Sequence, residues 1–240
     1  MSLKSLIHRA FQKTGYDFRK YTPENFPALN RRQSIISERI DLVLDVGANE
    51  GTYVIDLRDS GFRGRVISFE PLPLSFAILQ QRANKDPNWM CINAALGMSD
   101  GKGEINVSAR KTSSSLLPME NAHLNAVPMS SVISKEEVNV FALDSFLGKI
   151  IDPRERIYLK IDVQGYEMFV LQGAMRLLEQ IRGIEIELSF VPLYKKAPVF
   201  SEMVDFLEKC GFFLVALSHV LSDPKSGRLL QVDGIFIRHQ

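Results

Sequence analysis

The residues best suited to chemistry follow the first apolar run of the chain. Asp45 lies near the end of that run, and Gly47 and Gly51 bound a five-residue turn into a predicted helix. Glycines in such a turn let a ligand approach the backbone, and the helix that follows favours a negatively charged group. A dinucleotide-binding turn has glycines where this chain has Asn49 and Thr52, so a pyrophosphate fits poorly. The turn therefore favours a ligand without phosphates.

A second carboxylate stands nineteen residues after Gly51, where Glu70 ends the second apolar run. A carboxylate at this place in an α/β fold can accept hydrogen bonds from both hydroxyls of a ribose. The alternative is an exposed strand end. Because Pro71 restrains the backbone directly after Glu70, we expect the ribose-binding role.

The elements that position these residues alternate between short apolar runs and helical periods, which is typical of an α/β domain with a mostly parallel sheet. The last two predicted strands, Phe212–Leu217 and Val232–Arg238, form an antiparallel hairpin. Residues 109–136 are rich in serine and proline without a sustained period. They are predicted to form a long loop on the acceptor side of the site.

Composition narrows the function classes. The 240 residues are 45% hydrophobic and carry a net charge of +1, which fits one globular domain and gives no field that would attract nucleic acid. Two distant cysteines and four scattered histidines (Cys91, Cys210, His8, His123, His219 and His239) fit no metal site. No apolar run is long enough to span a membrane, and the expected location is cytoplasmic.

The charge is concentrated at the N-terminus, where residues 1–39 hold eight Lys and Arg against three acids. We predict a basic helical arm over residues 1–40 and one α/β domain over 41–240. The arm either packs on the domain or touches an anionic inner membrane face or a lipid-linked glycan.

Several segments together resemble a known family: Asp45–Gly51, Glu70-Pro71, Asn93–Gly97, Ser113–Leu117 and Leu159–Glu167. From about residue 41 to Arg238 the sequence is similar to the FkbM-type S-adenosyl-L-methionine-dependent methyltransferases, with Leu159–Glu167 as the most specific segment. Gln164 departs from the pattern, since the family more often has Glu at this position, which argues against a direct catalytic duty for it.

The resemblance implies a class I methyltransferase (Rossmann-like) sheet of seven strands in the order 3-2-1-4-5-7-6, with strand 7 antiparallel and helices on both faces. It implies S-adenosyl-L-methionine as the cofactor and O-methylation of a sugar or polyketide hydroxyl. In such a site Asp45 would meet the amine of the cofactor directly or through water, and Glu70 would meet the ribose. The amides of the turn would meet the carboxylate, and two alanines would lie beside the adenine. The residues expected to bind the cofactor are thus Asp45, Gly47, Asn49, Gly51, Glu70, Ala94 and Ala95.

Methylation of an alcohol is assisted by a base that takes the hydroxyl proton. Asp162 is the first candidate because it ends a buried strand where α/β sheets bind ligands. Glu187, on the next strand, is the second candidate, and Lys160 would orient or charge-balance Asp162. The alternatives are a structural ion-pair network or, for the two carboxylates, a bound divalent ion.

The acceptor is expected to meet the long loop and the chain after the fifth strand. Ser114 and Ser115 would fold over it, although a solvated serine-rich loop is the alternative. Tyr194 would stack on a sugar ring. Asp233 is expected to be a structural strand residue, with a role in the pocket as the alternative.

We predict an O-methyltransferase acting on a sugar hydroxyl in glycan, glycolipid or polysaccharide biosynthesis. A small-molecule O-methyltransferase would instead have a deep, closed apolar pocket under residues 109–136. A nicotinamide-dependent oxidoreductase and a non-catalytic cofactor-binding module are the remaining alternatives.

Overall fold

The computed structural model of the chain describes residues 3–16, 20, 22 and 27–239. Parts of the predicted basic arm, including Asp17, Arg19 and Glu24, lie outside these residues. The helices of the described part are α1 (Leu3–Lys13), α2 (Pro27–Ser37), α3 (Thr52–Asp59), α4 (Pro73–Ala83), α5 (Asn121–Ala126), α6 (Glu167–Gln172) and α7 (Phe200–Lys209). The strands are β1 (Leu42–Val46), β2 (Arg65–Phe69), β3 (Trp89–Ile92), β4 (Ala95–Leu96), β5 (Gly101–Ser108), β6 (Val132–Phe141), β7 (Ile157–Ile161), β8 (Ile181–Ser189), β9 (Phe212–Ser222) and β10 (Leu229–Arg238).

Seven strands form the central sheet in the order β3-β2-β1-β7-β8-β10-β9. Neighbouring strands from β3 to β8 run parallel, and β10 is antiparallel to both β8 and β9. Counted within this sheet alone, the order is 3-2-1-4-5-7-6 with strand 7 antiparallel, which confirms the predicted fold class. The chain reverses its direction of strand addition between β1 and β7, and ligands of open α/β sheets bind at such a point.

Helices cover both faces of the sheet, as predicted. β1 and β7 are buried along their whole length, so both of their faces need apolar cover. Side chains of α2, α3 and α4 pack with Val43 and Tyr158 on one face. Those of α6 and α7 pack with Leu44 and Leu159 on the other.

The segment 109–136, predicted as a loop, is only partly irregular. It contains α5 and the first residues of β6, which pairs with β4 and β5 in a separate three-stranded sheet. α5 has six residues, too few to show a helical period, and residues 132–135 of β6 are exposed. Neither element therefore produced an apolar pattern in the sequence.

The second helix of the predicted arm packs on the α/β domain. α2 contacts β8, β9 and β10, and its Ile35 is buried in the core. We therefore propose that the domain begins at α2 rather than after residue 40. No helix of the described residues has both the length and the apolarity needed to cross a bilayer.

The turn after β1 approaches the end of β7 closely, and Gly47 makes this approach possible. Gly47 has φ +77°, and a Cβ built on it would lie 1.9 Å from the carbonyl oxygen of Asp162. The two strand ends that meet the cavity described below are thus held together at a position where no side chain fits.

We expect Gly47→Ala to lower the free energy of unfolding by about 3 kcal/mol or more, because backbone atoms must move. Gly61→Ala is the matched control, since Gly61 also has a positive φ (+99°) but no atom within 4 Å of its Cβ position. It should cost about 1 kcal/mol. Equal losses of the two variants in urea denaturation would contradict the proposed close approach.

Candidate active site

A cavity of about 390 Å³ lies at the carboxyl ends of the central strands. Many of the predicted site residues line it: Gly47, Asn49, Glu70, Ala94, Ala95, Ser114, Ser115, Lys160 and Asp162. Four others, Asp45, Gly51, Glu187 and Tyr194, lie close by but are buried behind the wall. The fold therefore brings the predicted residues together, but it separates those that can touch a ligand from those that support them.

Glu70 lies at one end of the cavity and is 5% exposed. Its Oε2 accepts a hydrogen bond from the Asn49 amide (2.9 Å) and its Oε1 from the Leu72 amide (2.8 Å). Each carboxylate oxygen has two lone pairs, so both can accept one more hydrogen bond. Burial raises the pKa of Glu70 to about 7, although the two amides oppose this shift. Glu70 lines the cavity and has free lone pairs on both oxygens, so it can accept hydrogen bonds from two vicinal hydroxyls of a ligand.

The turn after β1 uses most of its own amides. Those of Gly47 and Ala48 donate to the Phe69 carbonyl, and that of Gly51 donates to the Ala48 carbonyl. The expectation that this turn offers these amides to a ligand carboxylate therefore does not fit the structure. Gly51 instead gives close packing, because a Cβ there would lie 2.7 Å from the Trp89 ring. The turn therefore forms part of the cavity wall through Gly47 and Asn49, without offering these amides to a ligand.

A row of polar side chains crosses the sheet beneath the cavity. The register pairs Asp45 with Ser68 on β2 and with Lys160 on β7, and it pairs Lys160 with Glu185 on β8. Paired residues of neighbouring strands point to the same face. Asp45 is fully buried, and its Oδ2 accepts from the Ser68 hydroxyl (2.9 Å). The Asp45 carboxylate lies below the wall, so a direct contact with a ligand amine does not fit this burial, whereas the alternative of a contact through water stays a prediction.

Lys160 is the cation within this row. Its Nζ lies 3.4 Å from Asp45 Oδ1 and 3.6 Å from Asp162 Oδ2, and it donates to the Gly47 carbonyl (3.2 Å). Burial alone would lower the pKa of Lys160, but the charges of Asp162 and Asp45 outweigh it and raise the pKa above its ordinary value. Lys160 therefore stays protonated and acts as a fixed positive charge.

Asp162 and Glu187 are joined through Gln164. The Gln164 amide nitrogen donates to Asp162 Oδ1 (3.0 Å) and to Glu187 Oε2 (2.9 Å). The Asp162 side chain is 43% exposed at the cavity, whereas Glu187 is buried. Burial and the charges of neighbouring carboxylates, Asp162 first among them, raise the pKa of Glu187 well above its ordinary value. Of the two predicted bases, only Asp162 is exposed to the cavity.

Tyr194 is buried at 1% exposure and cannot stack on a sugar ring as predicted. Its ring packs against His123, with the centroids 5.2 Å apart, and its hydroxyl lies 2.9 Å from Gln164 Oε1. Ser115 supports the same turn, because its Oγ donates to the Gln164 carbonyl (2.7 Å). Ser114 accepts from the Ser108 amide (3.0 Å). The two serines line the cavity and also hold its wall together.

The sequence reasoning missed several residues of the wall. Arg31 of α2 forms a two-point ion pair with Glu185 (2.6 and 2.7 Å) and lies 4.4 Å from the centre of the Tyr53 ring. No motif marks Arg31, but Glu185 lies on a buried strand, and a buried carboxylate signals that a partner is needed. Asp233, for which a pocket role was the alternative to a structural one, also faces the cavity.

The cavity thus has two chemically different ends. Small residues (Gly47, Ala94 and Ala95) and the Glu70 carboxylate form one end, which can hold a nucleoside. Asp162, Asp233 and the Arg31–Glu185 pair form the other, which can hold a polar acceptor beside a carboxylate. In the described residues no group of His, Cys, Asp and Glu is arranged to bind a metal ion.

Comparison with known proteins identifies a family. A model of the "Methyltransferase FkbM domain" matches residues 45–214. Among solved structures, the crystal structure of methyltransferase FkbM from Methylobacillus flagellatus KT is 15% identical. It covers 81% of this chain and 43% of that chain, with a TM-score of 0.48.

Two curated relatives also match. "Methyltransferase 1" of Beauveria bassiana is 25% identical over 142 residues, which are 55% of this chain. "Hexuronic acid methyltransferase AglP" of Haloferax volcanii is 23% identical over 152 residues, which are 63% of this chain. The match spans only 57% of the length of each relative.

The carboxyl of Asp233 allows a test of this electrostatic description. Burial, followed by the charges of Glu185 and Asp162, raises its pKa to about 7 in the folded chain. A folded-state pKa above the unfolded value means that stability is lost as the pH rises from about 4 to about 7.

Asp233→Asn removes this loss. The melting temperature of the variant should therefore rise relative to the wild type by several °C over that pH range and then level off. The measurement is a series of melting curves of the ligand-free proteins. A difference between them that does not change with pH would refute the raised pKa of Asp233.

Proposed function

The chain belongs to the FkbM methyltransferase family, and from this premise we propose that it methylates a hydroxyl oxygen, with a sugar hydroxyl of a glycan, glycolipid or polysaccharide precursor as the acceptor. S-adenosyl-L-methionine is the methyl donor of the family. The observation that carries the O-methylation proposal is the placement of Asp162. Its carboxylate is partly exposed to the cavity, held by Gln164 and paired with Lys160.

The residues of the first end of the cavity fit the donor. Glu70 would accept hydrogen bonds from the ribose hydroxyls with the lone pairs that the two amides leave free. Ala94 and Ala95 would leave room for the adenine, and Gly47 and Asn49 would form the floor. Asp45 would act through Lys160 rather than by direct contact, because it is fully buried. Several carboxylates around the cavity also suit a ligand that carries a sulfonium and an ammonium group.

The second end would hold and activate the acceptor. S-adenosyl-L-methionine, when bound, supplies a methyl group on a positively charged sulfur. Asp162 would accept the proton of the acceptor hydroxyl as the new oxygen–carbon bond forms. Lys160 would keep the Asp162 carboxylate in place, and the walls of the cavity would restrict the acceptor to one orientation. Such positioning can contribute roughly 7–11 kcal/mol to lowering the barrier.

Charged groups on the acceptor side support a sugar rather than a polyketide. Asp162, Asp233 and the Arg31–Glu185 pair face the cavity, and an apolar acceptor would exclude water from these charges without offering them hydrogen bonds. The relative from Haloferax volcanii, named as a hexuronic acid methyltransferase, points in the same direction. The small-molecule alternative requires an apolar acceptor pocket, and family membership disfavours the nicotinamide-dependent oxidoreductase.

The basic arm adds a proposal about where the acceptor is found. α1 holds Lys4, Arg9 and Lys13 and no acidic residue, and its Ile7 and Phe11 are 48% and 39% exposed. A helix of this kind can rest on an anionic lipid surface. We propose that the arm touches a membrane surface or a lipid-linked glycan.

Asp162→Asn tests the base. We expect methyl transfer to fall by about 10²-fold or more, while binding of S-adenosylhomocysteine in calorimetry stays within about twofold of wild type. Asp59→Asn, the same change at an exposed position of α3, should leave both unchanged. Transfer is measured by mass spectrometry on a panel of glycans, and a product that resists mild alkali is an ether rather than an ester. Normal turnover of Asp162→Asn would refute its role, and turnover limited to apolar phenols would favour the small-molecule alternative.

Glu70→Gln tests the ribose contact. We expect the affinity for S-adenosylhomocysteine to fall about 10- to 100-fold, because hydrogen bonds to a charged group are lost. In the wild type the affinity should rise as the pH passes about 7, where Glu70 ionises, and the variant should lose this dependence. Glu50→Gln makes the same change in the adjacent turn, outside the cavity wall, and should retain both affinity and pH dependence. Equal affinity of wild type and Glu70→Gln would exclude the contact.

A further inference from the structure

Gln164 occupies the centre of the hydrogen bonds behind the proposed base. Its amide nitrogen is within hydrogen-bond distance of one oxygen of Asp162 and one oxygen of Glu187. Its amide oxygen lies 2.9 Å from the Tyr194 hydroxyl. The side chain is nine-tenths buried, with 9% exposure. Both polar atoms of the side chain are thus engaged, with Asp162 from the same turn and with Glu187 and Tyr194, which the fold brings in from farther along the chain.

The surroundings determine the orientation of this amide. An amide nitrogen has two hydrogens and no accepting capacity, so it can donate one hydrogen to each carboxyl. If the amide were flipped, its oxygen would face two carboxyl groups and its nitrogen would face the Tyr194 hydroxyl. The observed orientation therefore gives both carboxyls a donor. The single hydrogen of the Tyr194 hydroxyl lies within reach of two acceptors, the Gln164 amide oxygen (2.9 Å) and the Ser113 carbonyl (3.0 Å).

The backbone at Gln164 is shaped for this contact. Gln164 has φ +57° and Gly165 has φ +93°. A positive φ is uncommon for a residue with a long side chain and persists where neighbouring contacts enforce it. Here the Ser115 hydroxyl donates to the Gln164 carbonyl (2.7 Å) and holds the turn in place. The left-handed turn returns the side chain across the ends of β7 and β8, where it reaches both carboxyls.

The neutral amide also determines the charge of the site. Burial and the charges of Asp162, Glu167 and Asp233 raise the pKa of Glu187 well above its ordinary value. Burial thus favours the protonated form of Glu187 more than in a free glutamate, and Gln164 links Glu187 to Asp162 without adding charge. A glutamate at position 164 would place a third carboxyl against these two and replace the shared donor by an acceptor.

We propose that Gln164 is a positioning residue, which aims the Asp162 carboxylate at the acceptor and keeps it available as a proton acceptor by donating one amide hydrogen to Asp162 and the other to Glu187. This inference rests on the proposed function, since it concerns the base of that reaction. It assigns a role to the residue at which the sequence departs from the common family pattern. It also gives Glu187 and Tyr194 supporting roles, although neither faces the cavity.

Gln164→Glu is the sharpest test because the two side chains have the same shape. With a glycan acceptor that the wild type methylates, we expect kcat to fall about 10²-fold. The KM for S-adenosyl-L-methionine should stay within about twofold. The acid limb of the kcat profile should move up by about one pH unit, because a like charge now adjoins the base. Gln80→Glu adds the same charge at an exposed position of α4 and should change none of these values.

Tyr194→Phe is the second variant, since it keeps the packing of the ring and removes only the hydroxyl that orients the amide. It should lower kcat by a smaller factor, about tenfold, without weakening S-adenosylhomocysteine binding. If Gln164→Glu does not fold, as judged by circular dichroism, this variant decides the question. Wild-type kcat in Tyr194→Phe would then overturn the proposal.

A readout without an acceptor separates this inference from the proposed function. The carboxyl carbon of Glu187 is followed by NMR during a pH titration and is assigned by its loss in Glu187→Gln. In Gln164→Glu the pKa of Glu187 should rise further, because a donor has been replaced by a carboxyl. If the wild type methylates no alcohol, the proposed function is wrong. The NMR comparison would still test whether Gln164 links Asp162 and Glu187. An unshifted Glu187 titration, or a fall in kcat without a shift of the acid limb, would overturn the positioning role of Gln164.

Discussion

The structure depends on one buried ammonium group. Lys160 Nζ lies between Asp45 and Asp162, with the Gly47 carbonyl as a further partner. A fully buried carboxylate such as Asp45 is tolerated only when a cation is near, and removal of one partner from such a pair commonly costs about 3–5 kcal/mol. Lys160 is also paired with Asp162, which faces the cavity. The ammonium group that compensates the buried Asp45 carboxylate therefore also holds the Asp162 carboxylate at the cavity.

The register of the parallel strands makes this arrangement possible. Pairing of β1 with β2 and β7 puts Ser68, Asp45 and Lys160 on one face in one row, and β8 extends the row to Glu185. Above the row, the turns after β1 and β7 contain Asn49 and Gln164, two of the four non-glycine residues with positive φ among those described. A positive φ costs conformational free energy at a non-glycine residue. Such strain at these two turns fits a site whose geometry requires two strand ends to approach closely.

The residues that face the cavity differ in role from the buried residues behind them. Glu70, Lys160 and Asp162 face the cavity, whereas Glu187 and Tyr194 reach it only through Gln164. On the acceptor side, α2 contributes Arg31 from a segment that precedes the first strand. In the proposed reaction, only a few exposed groups contact the donor and the acceptor, and buried hydrogen bonds hold these groups in position.

The sequence by itself determined the α/β class and part of the cavity wall, because these follow from local patterns: apolar runs, a glycine turn and carboxylates at strand ends. The strand order followed from the resemblance to the family. Gln164 was noticed only as a departure from the family pattern, and Arg31 was not identified as a site residue. Glu187 is 23 residues from Gln164 along the chain, and Glu185 is 154 residues from Arg31. The sequence also could not predict which of the site side chains are exposed to the cavity. Asp45, Glu187 and Tyr194 have the residue types of a binding site, but their contact with a ligand depends on which neighbours cover them. Only the packed structure decides that, because burial is a property of many distant segments at once.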